Sequence, residues 1–172
     1  MTHIHNIDSR NKTMSSLHKN LSIFSTNNLP DVSKNRFAIV VAEWNEHITE
    51  ALAQGAIKTL LGYGVLEENI VRRNVPGSYE LTFAAQKMAQ KEDIDAIICI
   101  GCVIQGETKH NDYINNAVAQ GLTVVSLKYD KPVIFGVLTP NTEQQAIDRA
   151  GGIHGNKGDE AAITAVKMLM VW

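Results

Sequence analysis

The chain has 172 residues, a formal net charge of −2 and 44% hydrophobic residues. That length suffices for one domain with a real core, and the near-balanced charge excludes the broad basic footprint of a nucleic-acid binder. No apolar run approaches the ~20 residues of a membrane helix, and MTHIHNIDSRNKTMSS at the N-terminus lacks the apolar stretch of a signal peptide, so neither nucleic acid nor membrane is an expected partner. Two cysteines without an export signal predict a reducing, cytoplasmic setting.

Residues 1–20 are polar and lack periodicity, which predicts a flexible tail. Residues 21–35 hold a short apolar patch, Leu21, Ile23 and Phe24, ahead of a Pro/Asp/Ser region; they read as an arm or an edge strand. From 36 to 172 the pattern becomes regular and reads as a single α/β domain. RFAIVVA is a near-continuous apolar strand, as expected of a parallel strand covered on both faces. EHITEALAQGAIKTLLGYG places Ile48, Ala51, Leu52, Ala56 and Leu60 at helical spacing and ends in glycine.

NIVRRNV is a shorter strand that stops at Pro76. SYELTFAAQKMAQKE is a helix for which Ser78 is the expected cap. DAIICIGCVI is the strongest strand signal. It carries Cys99 and Cys102 as CIGC, inside a β-rich run rather than at a helix N-terminus where thiols are activated. No second ligand pair follows at zinc spacing, so both read as packing residues and no metal is expected.

A helix is predicted from Asn111 or Asp112. TVVSL alone scores as a strand, but Ile114, Val118, Leu122 and Val125 fall on one helical face and no turn signal precedes Asp130. One helix to about Tyr129 is therefore expected. PVIFGVLT is the fourth core strand, TEQQAIDRAG a helix capped by Thr142, and NKGDEAAITAVKMLM the last helix. This alternation predicts a parallel sheet with helices on both faces.

In such sheets ligands bind at the carboxyl ends of the strands. Those ends collect unusual residues: Trp44 and Asn45, then VPGSYE with Ser78, Tyr79 and Glu80, then GETKH, then Phe135 beside Gly136. Gly106, Glu107 and Thr108 precede a helix, so backbone N–H groups there suit an anion, and Arg149 and Lys157 can add positive charge. GGIHGNKGD is not a P-loop: its spacing is wrong, and no Ser or Thr follows Lys157.

EWN, VPGSYEL, GCVIQGETKHNDYI, PVIFGVLTPNTEQQAIDRAG and GNKGDEAA occur in this order over residues 36–170. Together they closely resemble the lumazine synthase family. The resemblance implies a three-layer α/β/α sandwich with a four-stranded, mostly parallel, flavodoxin-like sheet. It also implies an enzyme of riboflavin biosynthesis that condenses 5-amino-6-(D-ribitylamino)uracil with 3,4-dihydroxy-2-butanone 4-phosphate, with no cofactor. On this reading Trp44 stacks on the pyrimidine. Ser78, Tyr79, Glu80, Cys102, Val103 and Ile104 line the ring and ribityl site, and Phe135 borders it from a neighbouring subunit. Glu107, Thr108, Arg149 and Lys157 hold phosphate, and His110 transfers protons.

Two positions depart from the common family pattern: Lys109 before His110, and Ile153 where many relatives carry lysine. The family further implies a homopentamer, in some members a shell of twelve pentamers, and association with riboflavin synthase. A catalytically weak, ligand-binding or shell-forming relative is the alternative, and a generic nucleotide binder of the same fold would leave the phosphate turn unexplained.

Overall fold

The computed structural model describes residues 31–171. The predicted tail (1–20), the patch Leu21, Ile23 and Phe24, and Trp172 lie outside the described residues. Residues 31–35 form a turn closed by the Asn35 N–H donating to the Val32 carbonyl at 3.0 Å. Val32 itself is buried in the core.

Four strands follow: β1 (Phe37–Ala42), β2 (Ile70–Val75), β3 (Ala96–Cys102) and β4 (Val133–Leu138). They form one sheet of order β2-β1-β3-β4, and every neighbouring pair is parallel. Parallel neighbours require crossover connections. These run through α1 (Glu46–Gly62), α2 (Leu81–Ala89) and α3 (His110–Tyr129). The chain ends with α4 (Glu143–Arg149), a small antiparallel pair β5 (Ala150–Gly152) and β6 (Gly155–Asn156), and α5 (Lys157–Met168).

The apolar runs are continuous because each strand feeds two cores. In β1, Phe37, Ile39 and Val41 pack with Leu52, Ala56 and Leu60 of α1 and Ala162 and Val166 of α5. The alternate residues Ala38, Val40 and Ala42 pack with Leu81 and Ala85 of α2 and Val118, Leu122 and Val125 of α3. The sheet is thus the middle of three layers. Burying each such Leu, Ile or Val contributes about 1.5–3 kcal/mol, so the two helical layers hold the strand ends in fixed positions.

The single long helix over TVVSL is present: burying Val118, Leu122 and Val125 along one face outweighs the strand preference of β-branched residues. It begins at His110, one residue before the expected range. Thr142 caps α4 as expected, its side chain accepting from the Gln145 N–H at 3.3 Å. Ser78 does not cap a helix. It lies inside a single 3₁₀ turn, Ser78–Glu80, and extended Gly77 precedes that turn. The β5–β6 pair is an addition, found where the sequence shows only a linker between helices.

Candidate active site

The loops that leave β1, β2 and β3 enclose a hollow of about 600 Å³. It sits where the strand order turns, with β2 on one side of β1 and β3 on the other, the position at which open α/β sheets leave a crevice. Backbone bonds bind the first two loops together: the Glu43 N–H donates to the Val75 carbonyl at 2.8 Å, and the Trp44 N–H to the Pro76 carbonyl at 3.1 Å. Asn45 ties in the third. It takes a left-handed φ of 61°, which Asn tolerates better than most residues. Its Nδ2 donates to the Cys102 carbonyl at 2.9 Å, and its side chain makes no capping bond to α1. The turn leaves the Trp44 indole 73% exposed as one wall of the hollow.

Ser78, Tyr79 and Glu80 form the wall that follows β2. Ser78 is 6% exposed, and its Oγ is buried with no hydrogen-bond partner in the chain. Gly101 of β3 makes room for it, since a Cβ there would lie 2.6 Å from that Oγ. A buried hydroxyl without a partner costs about 1–3 kcal/mol, and the residue that bears it lies in the wall of the hollow. The Glu80 carboxylate folds back over Gly77, within 3.1 Å of where a Cβ on that glycine would lie.

Cys102, Val103 and Ile104 form the floor, and Gly106, Thr108 and His110 the far rim. Bonds to the end of β4 and to the loop after it hold this segment, the Val103 N–H donating to the Leu138 carbonyl at 2.8 Å and the Gln105 N–H to the Pro140 carbonyl at 3.0 Å. Glu107 is exposed beside the rim rather than lining it. The first N–H groups of α3 lack intrahelical acceptors, and the positive end of the helix dipole favours an anion at this turn.

Phe135, Arg149 and Lys157 do not join this group. They line a second hollow of about 730 Å³ along β4, with Asn141, Gln145 and Glu160. Arg149 Nη1 donates to the Gln145 carbonyl at 3.0 Å, and Lys157 Nζ pairs with Glu160 at 2.6 Å. Within one chain twelve of the thirteen residues singled out in the sequence therefore divide between two surfaces, nine on the first and three on the second, and Glu107 lines neither. Asn111 and Ile114 also line the first hollow; they went unassigned because the apolar pattern of α3 accounts for Ile114 and nothing marks Asn111 beyond its place after His110.

The cysteines are free thiols on opposite faces of β3, Cys99 in the core under α2 and α3 and Cys102 in that under α1 and α5. Burial pushes the Cys99 thiol far up and the Cys102 thiol up to about 11, which suppresses thiolate chemistry. Among the described residues no group of three or more His, Cys, Asp or Glu is placed to hold a metal ion.

Sheet order and hollow define a doubly wound α/β protein with a crevice at its switch point, where such sheets bind ligands. A family model described as 6,7-dimethyl-8-ribityllumazine synthase matches residues 34–172. The chain is 61% identical to a 6,7-dimethyl-8-ribityllumazine synthase of Cytophaga hutchinsonii over 156 residues, 91% of this chain and 98% of that one. It is 53% identical to the protein of the same name from Parabacteroides distasonis over 91% of this chain and 98% of that one. It is 52% identical to that of Flavobacterium johnsoniae over 92% and 83%. The chain belongs to the 6,7-dimethyl-8-ribityllumazine synthase family.

Proposed function

We propose that the protein condenses 5-amino-6-(D-ribitylamino)uracil with 3,4-dihydroxy-2-butanone 4-phosphate to give 6,7-dimethyl-8-ribityllumazine in riboflavin biosynthesis. The observation that carries this reading is the convergence of Trp44, Ser78, Glu80, Thr108 and His110 on one hollow in a member of this family. The Trp44 indole supplies a stacking face for the pyrimidine. The free Ser78 hydroxyl and the Glu80 carboxylate supply hydrogen bonds for the ring and the ribityl chain. The turn at Gly106, Glu107 and Thr108 faces the phosphate with backbone N–H groups and a hydroxyl.

The pyrimidine's 5-amino nitrogen attacks the ketone carbon, and loss of a first water leaves an imine. Loss of the proton on C3 then expels phosphate from C4, the C–O electron pair leaving with the phosphate oxygen, and the enol so formed tautomerises to a carbonyl at C3. The ribitylamino nitrogen then closes the ring on the remaining carbonyl carbon, and a second water leaves. His110, which lines the same hollow, moves the protons that these steps require. Holding two substrates in register supplies much of the acceleration, because it removes the entropic cost of their encounter.

The division of site residues between two hollows supports a site shared by neighbouring copies. One copy supplies Trp44, Glu80 and His110. The next brings Phe135 against the pyrimidine and Arg149 and Lys157 to the phosphate. Closed symmetry repeats such a contact around a ring, here a homopentamer, which in turn builds a shell of twelve pentamers. The expected apolar surface for that ring changes, however. Val118, Leu122 and Val125 are buried within the chain and Ile114 partly so, while Tyr113, Val124 and Leu127 of the same helix are left exposed, Leu127 by 80%.

Absorbance of purified protein with both substrates tests the activity. Enzyme-dependent appearance of the lumazine chromophore, with stoichiometric phosphate, is expected. No product above the spontaneous rate would overturn the assignment.

A further inference from the structure

The linker residue Asn156 does more than join two helices. Its Nδ2 donates to the Ala51 carbonyl of α1 at 2.8 Å, and its Oδ1 accepts from the Gly158 N–H at 2.8 Å. It also pairs across the β5–β6 hairpin with Ala150. One side chain thus fastens the start of α5 to the middle of α1, while the backbone of the same residue fastens it to the end of α4.

Two glycines are shaped around this clamp. A Cβ on Gly55 of α1 would lie 2.6 Å from Asn156 Cγ and 2.6 Å from Asp159 Oδ1. A Cβ on Gly158 would lie 1.9 Å from the Leu52 carbonyl oxygen. Backbone therefore approaches backbone here as closely as two helices allow, and Asn156 fills the remaining space with two hydrogen bonds.

The hairpin gives the clamp its consequence. Arg149 immediately precedes Ala150, and Lys157 immediately follows Asn156, so the two cationic residues flank one cross-strand pair. Both line the hollow along β4, and Asn156 does not. We propose that Asn156 is a positioning residue: by locking the β5–β6 hairpin and the first turn of α5 onto α1, it sets Arg149 and Lys157 at the separation that grips the phosphate of the substrate. This rests on the assignment of those two side chains to phosphate. Anion recognition by two cations on different elements depends on their relative placement, and a displacement of about 1 Å can cost two orders of magnitude in rate.

The test uses full-length protein. Asn156→Ser keeps an oxygen that can cap the Gly158 N–H but is too short to reach Ala51. Gly55→Ala disturbs the same clamp from the α1 side, at a residue that lines neither hollow. Gly62→Ala, where an added Cβ meets nothing within 4 Å, is the control. In both clamp variants the KM for the butanone phosphate should rise roughly tenfold or more, while pyrimidine affinity stays at wild type. Gly62→Ala should match wild type. In an Arg149→Ala, Lys157→Ala background, Asn156→Ser should add less than about twofold, because both side chains through which the residue acts are already removed.

A separate arm uses inorganic phosphate, which should raise the unfolding midpoint of wild type and raise that of the clamp variants far less. Loss of that phosphate response with no lumazine formed by wild type would keep the positioning role and overturn the reaction. Folded clamp variants with wild-type KM and phosphate response, or an effect undiminished in the Arg149→Ala, Lys157→Ala background, would overturn the positioning role.

Discussion

His110 is the first residue of α3, exposed at the rim of the hollow and outside both cores. Replacing it with alanine removes an imidazole without opening a cavity. His110→Ala should therefore lower turnover roughly 10- to 1000-fold, the scale of a lost acid/base, and leave the unfolding midpoint in place; wild-type single-turnover kinetics would exclude proton transfer by this ring. Trp44 is the reporter on the opposite wall. Pyrimidine binding should quench its fluorescence, and Trp44→Phe should abolish the quench while weakening affinity only modestly, because a smaller aromatic face remains. A full quench in that variant would move the stacking site elsewhere. These residues were legible in the sequence because each ends an apolar run, and strand ends in a parallel sheet face one edge. Ser78 was legible as a site residue but not in its structural role. A cap depends on backbone angles, here those of Gly77, and the close approach that buries its hydroxyl depends on Gly101 from a strand 23 positions later.

At the level of elements, β2 shows what an edge strand does with its charges. Arg72 donates from Nη1 and Nη2 to the two Glu50 oxygens of α1, at 3.0 and 2.6 Å. That bidentate bond, with a second from Gln54, pulls the Glu50 carboxyl from 4.5 to about 2. A carboxyl depressed in the folded state stabilises above its unfolded pKa, and the contribution fades as pH falls through the folded one. Both side chains are partly exposed, so screening holds the pair to about 0.5–1 kcal/mol. Glu50→Gln should destabilise by that amount at pH 7, and the difference in denaturant midpoints should shrink between pH 4.5 and 2. A difference constant over that window would mean that packing, not charge, joins these elements. The main elements were readable because their periods are long enough to register, as in α3, where the helical spacing of four apolar residues overrode a local strand preference. The β5–β6 pair was not, since strands of three and two residues carry no period.

For the whole molecule, mass decides the assembly. Five chains of 18.9 kDa give about 95 kDa, and sixty give about 1.1 MDa. Light scattering should find the larger value. A stable mass near the smaller across pH and concentration would remove the shell and keep the ring, and a monomer would remove both. Resemblance set Phe135 on a neighbouring subunit, but linear spacing did not show that Arg149 and Lys157 fall on the same second surface, because it does not say which side of a strand end a distant helix will cover. That division has a genetic corollary. If Trp44 and His110 belong to one copy and Arg149 to the next, two different defects need not sit in the same place. A chain carrying His110→Ala still has an intact Arg149 to lend, and a chain carrying Arg149→Ala still has an intact His110. Co-expressed in equal amounts, the two should assemble at random, and about a quarter of the contacts would then join two sound halves. The mixed population should regain about that share of wild-type activity at low butanone phosphate, from parents that are each defective alone.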